Sequence, residues 1–294
     1  MGIAYKQTQE MAEFEDPTDT ERLQIAQHFM LNSPPGQFKD VSVDVKKLLP
    51  PDLMDEALET GIARAYNTKN NKVVKSPTGS SVVLCTFGEL DATHYMDPIT
   101  GSTFSVDHIT LETAVSSMEP EWDSDLESRR TSLQAALSKY VSNAYESNSA
   151  AGVYAKDSKF NLVITGEKSN LRNFWSGKWS STWTVECTGG STSLKGEIRI
   201  HAHYFEDGNV QLQTTKPVAA MQWDWAFSED NAQTVVDYIS TKEQELHVAL
   251  AAMYANMDAE TFKSVRRILP VTKLKMDWNL NAVKMHTTLS SGLK

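Results

Sequence analysis

The chain has 294 residues, 40% of them apolar and 22% charged, enough to bury one large core or two modest ones. No uninterrupted apolar run approaches the roughly 20 residues of a membrane helix, and the residues up to Arg22 lack the apolar middle of a secretory signal. The formal net charge of −10 conceals an asymmetry: Thr261 to Lys294 carries seven basic residues and one acidic, while the preceding 260 residues carry 21 basic and 37 acidic. An acidic body excludes a general nucleic-acid binder, because phosphate would be repelled everywhere except at that basic end.

The first predicted element starts at Thr18-Asp19-Thr20-Glu21, a helix N-terminus, and continues through Leu23, Ile25, Ala26, Phe29 and Met30 at helical spacing. Ser33-Pro34-Pro35-Gly36 ends it, since proline has no amide hydrogen to continue the ladder. A second helix over about 37–48 carries the stripe Phe38, Val41, Val45 and Leu48. After Pro50-Pro51 a third runs from about Leu53 to Tyr66. Tight proline-rich connections imply antiparallel packing of the three.

Over 67–110 the pattern changes to a small β region, with Val82-Val83-Leu84-Cys85 as its strand and turns at Asp97-Pro98 and Thr100-Gly101. A helix follows over about 124–146, with Leu126, Arg130, Leu133, Leu137, Tyr140 and Val141 in register. Strand runs then succeed one another at 152–156, 160–167, 172–187, 194–205 and 209–215. They are joined by turns at Asp157-Ser158, Gly189-Gly190 and Asp207-Gly208-Asn209. Connections this short demand antiparallel pairing. The last long helix covers about 229–257, with Ile239, Leu246, Leu250, Met253 and Met257 on one face. Such a helix is about 40 Å long at 1.5 Å per residue, whereas five strands span only about 24 Å at ~4.8 Å spacing. The mismatch predicts a sheet that continues in another chain.

No catalytic constellation emerges, and neither a cofactor nor a resident metal is expected. Ser76-Pro77-Thr78-Gly79 fits neither a phosphate loop nor a dinucleotide fingerprint. His201 and His203, two apart on one strand with Glu206 and Asp207 beyond, place two imidazoles on one face. A metal site normally needs a third protein ligand, so surface histidines before a hairpin are the preferred reading. Acidic pairs such as Glu15-Asp16 and Glu229-Asp230 fall at predicted helix starts, where the dipole favours negative charge. Cys85 and Cys187, far apart in sequence, are expected reduced, as in a cytoplasmic protein.

The C-terminal tail carries the strongest signal. Phe262, Val265, Ile268 and Leu269 form an apolar stripe flanked by Lys263, Arg266 and Arg267. Pro270 interrupts it, and Val271 to Met276 then alternates apolar groups with Lys273 and Lys275 before Trp278. By pattern alone this segment suits a helix packed on its own domain, a helix lying on anionic lipid, or a grip on an acidic partner.

Motifs narrow that choice. Phe262-Lys263-Ser264-Val265-Arg266-Arg267-Ile268-Leu269-Pro270-Val271-Thr272-Lys273-Leu274-Lys275-Met276-Asp277-Trp278-Asn279 resembles the C-terminal signature of the F-actin-capping protein alpha subunit family. Asn173 to Trp179, His203 to Leu212 and Ser33 to Phe38 resemble the same family, in the same order. The resemblance implies an α+β fold: antiparallel N-terminal helices, a small β region, a five-stranded antiparallel sheet covered by a long helix, and an amphipathic tail. The elements read along the chain place boundaries at 1–17 (a divergent extension), 18–66, 67–110, 111–150, 151–225, 226–260 and 261–294. The resemblance further implies a heterodimer in which the sheet continues into a beta subunit, binding to actin filament barbed ends in the cytoplasmic actin cytoskeleton, and no enzymatic activity.

On the same resemblance, Lys263, Arg267, Lys273 and Lys275, with Arg266 adjacent, would contact actin; the larger energy of apolar burial assigns dry contact to Ile268, Leu269 or Trp278, with packing on the body as the alternative for Trp278. Phosphoinositides, myotrophin-like inhibitors and capping-protein-interaction motifs would regulate it. A phosphoinositide-regulated adaptor on the membrane surface is the alternative. The final residues, from Leu280, depart from the family's ending.

Overall fold

The computed structural model describes residues 16–118, 124–145, 148–206 and 209–256. Two compact units divide at Tyr238 and Ile239, within the last helix. Three helices open the first unit: α1 (Asp19–Leu31), α2 (Phe38–Lys47) and α3 (Glu56–Lys69). Thr18 caps α1 in a reciprocal box with Glu21, and the Asp55 carboxylate accepts from the Leu58 amide at 2.7 Å to start α3. Ala26, Met30, Val45 and Ile62 form the core among them, joined by Phe38, Val41 and Leu49. Phe38 stacks on Tyr66 with ring centroids 4.6 Å apart.

The helical periodicity is realised, but not every apolar residue on it turns inward. Ile25 and Phe29, one turn apart on α1, are 50% and 58% exposed, and Leu48 is 82% exposed just past α2. Ala26 and Met30 already fill the one face that α1 presents to α2 and α3, so its second apolar ridge faces out.

The small β region is richer than one strand. β1 (Val73–Lys75) pairs with β2 (Ser81–Val83), and β3 (His94–Met96), β4 (Thr103–Val106) and β5 (Thr113–Val115) form a second antiparallel sheet. Leu84 and Cys85, predicted within the strand, are buried just beyond its end. Asp97, fully buried, accepts hydrogen bonds from the Ser76, Thr78 and Ser80 hydroxyls and from the Ile99 and Thr100 amides. Burial pushes its carboxyl up, and the bonds from Ser80, Ile99 and Thr100 outweigh that and hold it below the usual range. The Ser76–Ser80 loop is thus a structural knot around one carboxylate.

After α4 (Ser124–Ala144) comes the large sheet, a meander of β6 (Ser149–Lys156), β7 (Lys159–Asn170), β8 (Trp175–Thr188), β9 (Ser191–Tyr204) and β10 (Val210–Trp223), in the order β10-β9-β8-β7-β6. Asp157 and Ser158 both have positive φ, as do Gly189 and Gly190, the geometry that two-residue hairpins need. Trp183 is fully buried and lies over its cross-strand partner Gly196, where a Cβ would sit 2.3 Å from the indole.

Several strand limits differ from the sequence reading: β6 and β9 each start three residues earlier and β7 ends three residues later than predicted, and two further shifts have clear causes. β8 starts at Trp175, because Leu171–Asn173 is a 3-10 turn and Phe174 takes φ +57°, edge-on to Phe205 at 5.8 Å. β10 runs on through Pro217 to Trp223 with a bulge between Val218 and Met221, because an edge strand tolerates a residue without an amide hydrogen. A 3-10 turn at Glu229–Asn231 leads into α5 (Ala232–Asn256). In the first unit Phe227 packs on Phe160, and Tyr238 meets Trp223 edge-on at 5.7 Å. In the second unit Leu246 and Leu250 are half-buried and Met253 is 41% exposed; Met257 lies outside the described residues. The two cysteines are free, Cys85 being buried. Among the described residues no helix is long and apolar enough to cross a membrane.

Candidate assembly surface and tail

The two edges of the large sheet are treated differently. At β6 the outward backbone groups of Ala151 and Val153 are taken up by α4. The Gln134 side chain accepts from the Val153 amide at 2.8 Å and donates to the Ala151 carbonyl at 3.2 Å, while Arg130 donates to the Val153 carbonyl at 3.3 Å. Arg130 is itself held by Glu127 at 2.7 Å and donates to the Pro98 carbonyl. That edge is sealed, which removes a template for further strand pairing.

β10, the opposite terminal strand, has a strand neighbour on one side only. Val210 is 63% exposed, and Gln211, Gln213, Thr215, Lys216 and Pro217 are exposed as well. A 14-residue edge with this exposure invites a partner strand.

A buried ionic cluster fixes the sheet to the chain that follows α3. Glu167 on β7 receives Lys178 of the neighbouring β8 at 3.2 Å and Lys72 at 3.1 Å; Lys178 also donates to the Asn71 carbonyl. Arg199 on β9 donates to the Lys69 carbonyl and to Asn71 Oδ1. Burial raises the Glu167 carboxyl, but the charges of Lys178 and Lys72 outweigh it and hold it below the usual range. Burial lowers Lys178 to about 8, against the opposing pull of Glu167. Inspection of the sequence missed this cluster. Its only local sign was two charges, Glu167 and Lys178, inside otherwise strand-like runs.

The two histidines of β9 are engaged by amides. His203, nearly buried, accepts at Nδ1 from Gln37 Nε2 at 2.9 Å and donates from Nε2 to Asn209 Oδ1 at 3.1 Å, and its ring stacks on Phe205. His201 lies 3.1 Å from Gln213 Nε2, and burial lowers its pKa. Glu206 is bonded by the Tyr204 hydroxyl, and Asp207 lies outside the described residues. Gln37 and His203 therefore tie the helical region to the sheet.

All the predicted tail residues, Lys263, Arg266, Arg267, Ile268, Leu269, Lys273, Lys275 and Trp278, lie outside the described residues.

The fold defines the class first. It is an α+β meander shared with a solved homodimeric actin capping protein alpha subunit from Plasmodium berghei, with a TM-score of 0.72 and 23% identity over 85% of this chain and 98% of that one. Sequence comparison then specifies the family. The family model for the F-actin capping protein alpha subunit matches residues 26–288. The F-actin-capping protein subunit alpha of Caenorhabditis elegans is 34% identical over 268 residues, 89% of this chain and 94% of that protein. That of Dictyostelium discoideum is 34% identical over 276 residues with the same coverage, and that of Arabidopsis thaliana 30% identical over 277 residues. The chain belongs to the F-actin capping protein alpha subunit family.

Proposed function

We propose that this chain is the alpha subunit of a heterodimeric capping protein that binds the barbed ends of actin filaments and blocks subunit addition and loss. The family match over residues 26–288 carries this reading. The contrast between the sealed β6 edge and the exposed β10 edge supports a beta subunit that extends the sheet at β10. The outward ridge of Ile25 and Phe29, with Leu48, offers that subunit a second apolar contact.

In the tail, Lys263, Arg266, Arg267, Lys273 and Lys275 would meet acidic actin and set the register of docking, while Ile268, Leu269 and Trp278 supply dry contact. An exposed ion pair contributes only ~0.2–1 kcal/mol, against ~1.5–3 kcal/mol for a buried large apolar side chain. Charge therefore steers and apolar burial holds. Phosphoinositides, myotrophin-like inhibitors and capping-protein-interaction motifs would act on this complex in the cytoplasmic actin cytoskeleton.

The test is elongation of actin from seeds with the chain co-purified with a beta subunit. The complex should stop barbed-end growth, and charge reversal at Lys263, Arg267 and Lys273 should weaken it by about tenfold or more, taking these pairs at the upper end of their range. Unchanged capping by that variant would remove the tail from the contact. Vesicle co-sedimentation without any effect on elongation would favour a membrane-surface adaptor instead.

A further inference from the structure

Outside the sheet edge and the tail, one open pocket of about 530 Å3 lies within the first unit, between α3, the Cys85–Glu89 segment and the sheet. Its charged lining is Arg64, Lys69 and Arg199 against Glu89 and Glu197. Glu89 is committed to Arg64, whose Nε lies 2.6 Å from it. Lys69 has no ion-pair partner among the described residues. Arg199 is committed as well: its Nη groups donate to the Lys69 carbonyl and to Asn71 Oδ1, and its buried Nε lies 3.4 Å from Glu197 Oε1. In a body that is acidic as a whole, this leaves Lys69 as the available cation of the lining.

Beside these charges part of the lining is apolar. Phe87 is 39% exposed. Gly61 and Ala65, one turn apart on α3, leave the helix surface bare beside it. Nothing lies within 4 Å of where a Gly61 Cβ would stand, and its backbone needs no positive φ. A glycine inside a helix costs about 1 kcal/mol relative to alanine, and neither packing nor backbone conformation demands one here. What it provides is depth, letting a ligand approach the α3 backbone.

We propose that this pocket binds a small organic anion, an apolar or aromatic body against Phe87 and Gly61 with its phosphate or carboxylate oxyanion turned to Lys69. The size is that of a small-molecule site, with a few polar groups beside apolar lining. The Lys69 ammonium pairs with either oxyanion as a point charge.

Calorimetric titration of the full chain, in its subunit complex, with phenyl phosphate, phenylacetate and inorganic phosphate tests the proposal. One of the two ring-bearing probes should bind about tenfold tighter than inorganic phosphate, the increment of a single buried contact, and which one does so identifies the oxyanion. Lys69→Met should reduce that affinity at least severalfold. Gly61→Leu should abolish binding while raising the thermal midpoint, since leucine fills open space and favours the helix. Equal, weak binding of all three probes would overturn the proposal, as would retained binding in a folded Gly61→Leu protein.

Discussion

Glu167 sits between two lysines with its side chain only 9% exposed, and Lys178 is buried more deeply still at 6%. Removing the carboxylate strands cationic charge in the interior, which typically costs about 3–5 kcal/mol. Glu167→Ala is therefore expected to lower unfolding free energy by about 3 kcal/mol in urea titrations. Lys178→Met, which removes the partner with the larger desolvation cost, should be far milder because Lys72 still pairs with Glu167.

The pH dependence follows from the direction of each shift. Glu167 is held below its usual range, so its contribution is present at neutral pH and is lost as pH falls through its folded value. Lys178 is lowered from 10.5 to about 8, so between those values the unfolded chain binds more protons and stability from this group rises with pH. His108, lowered by burial, adds a loss of stability as pH falls below 6.5, since the unfolded chain protonates first. Urea midpoints at pH 3.5, 5.5, 7.5 and 9 read all three effects, and Lys178→Met should flatten the alkaline rise and also shrink the acid loss, because the Lys178 charge holds Glu167 low. At the Trp183 and Gly196 contact, Gly196→Ala forces a methyl into the indole and should cost about 1–3 kcal/mol, measured as a lowered midpoint.

Elements decide where the molecule can grow. α4 closes β6 through Arg130 and Gln134, so Gln134→Leu leaves the Val153 amide and Ala151 carbonyl unpaired and should destabilise the chain by about 1–3 kcal/mol. Substitutions at the exposed side of α1 should behave in the opposite way. Ile25→Asp with Phe29→Asp touches no buried core residue, so the chain should keep its far-ultraviolet circular dichroism while losing co-purification with a beta subunit by at least about tenfold. Gln213→Asp with Thr215→Asp, both exposed on β10, should give the same outcome. Normal association by both double variants would exclude the α1 ridge and the β10 edge as interfaces.

For the whole molecule the governing quantity is the charge division between body and tail. If the tail grips the filament end as proposed, seven basic residues after Thr261 against a body rich in carboxylates should make that association dependent on salt. Raising ionic strength from about 0.05 to 0.3 M should slow the onset of capping in seeded elongation more than it speeds release, because screening acts mainly on encounter. A tail held chiefly by apolar contact would show the reverse balance, or no salt effect.

Local chemistry made much of this protein readable before folding. The Thr18-to-Glu21 box and the polar punctuation around the β hairpins act within a few residues, so helices and turns fell close to where those residues placed them. The motif from Phe262 to Asn279, with those around Trp175 and Tyr204, identified the family by order and identity alone. Other features depend on partners distant in sequence, and only the tertiary structure decided them. Pro217 remained in a strand because β10 is an edge, and Ile25 and Phe29 turned outward because α2 and α3 fill a single face of α1. Lys72, Glu167 and Lys178 became one ionic cluster because the sheet register and the turn after α3 bring them together. Periodicity shows that a residue lies on a face; which face is buried, and which charge it meets there, is set by contacts across the chain.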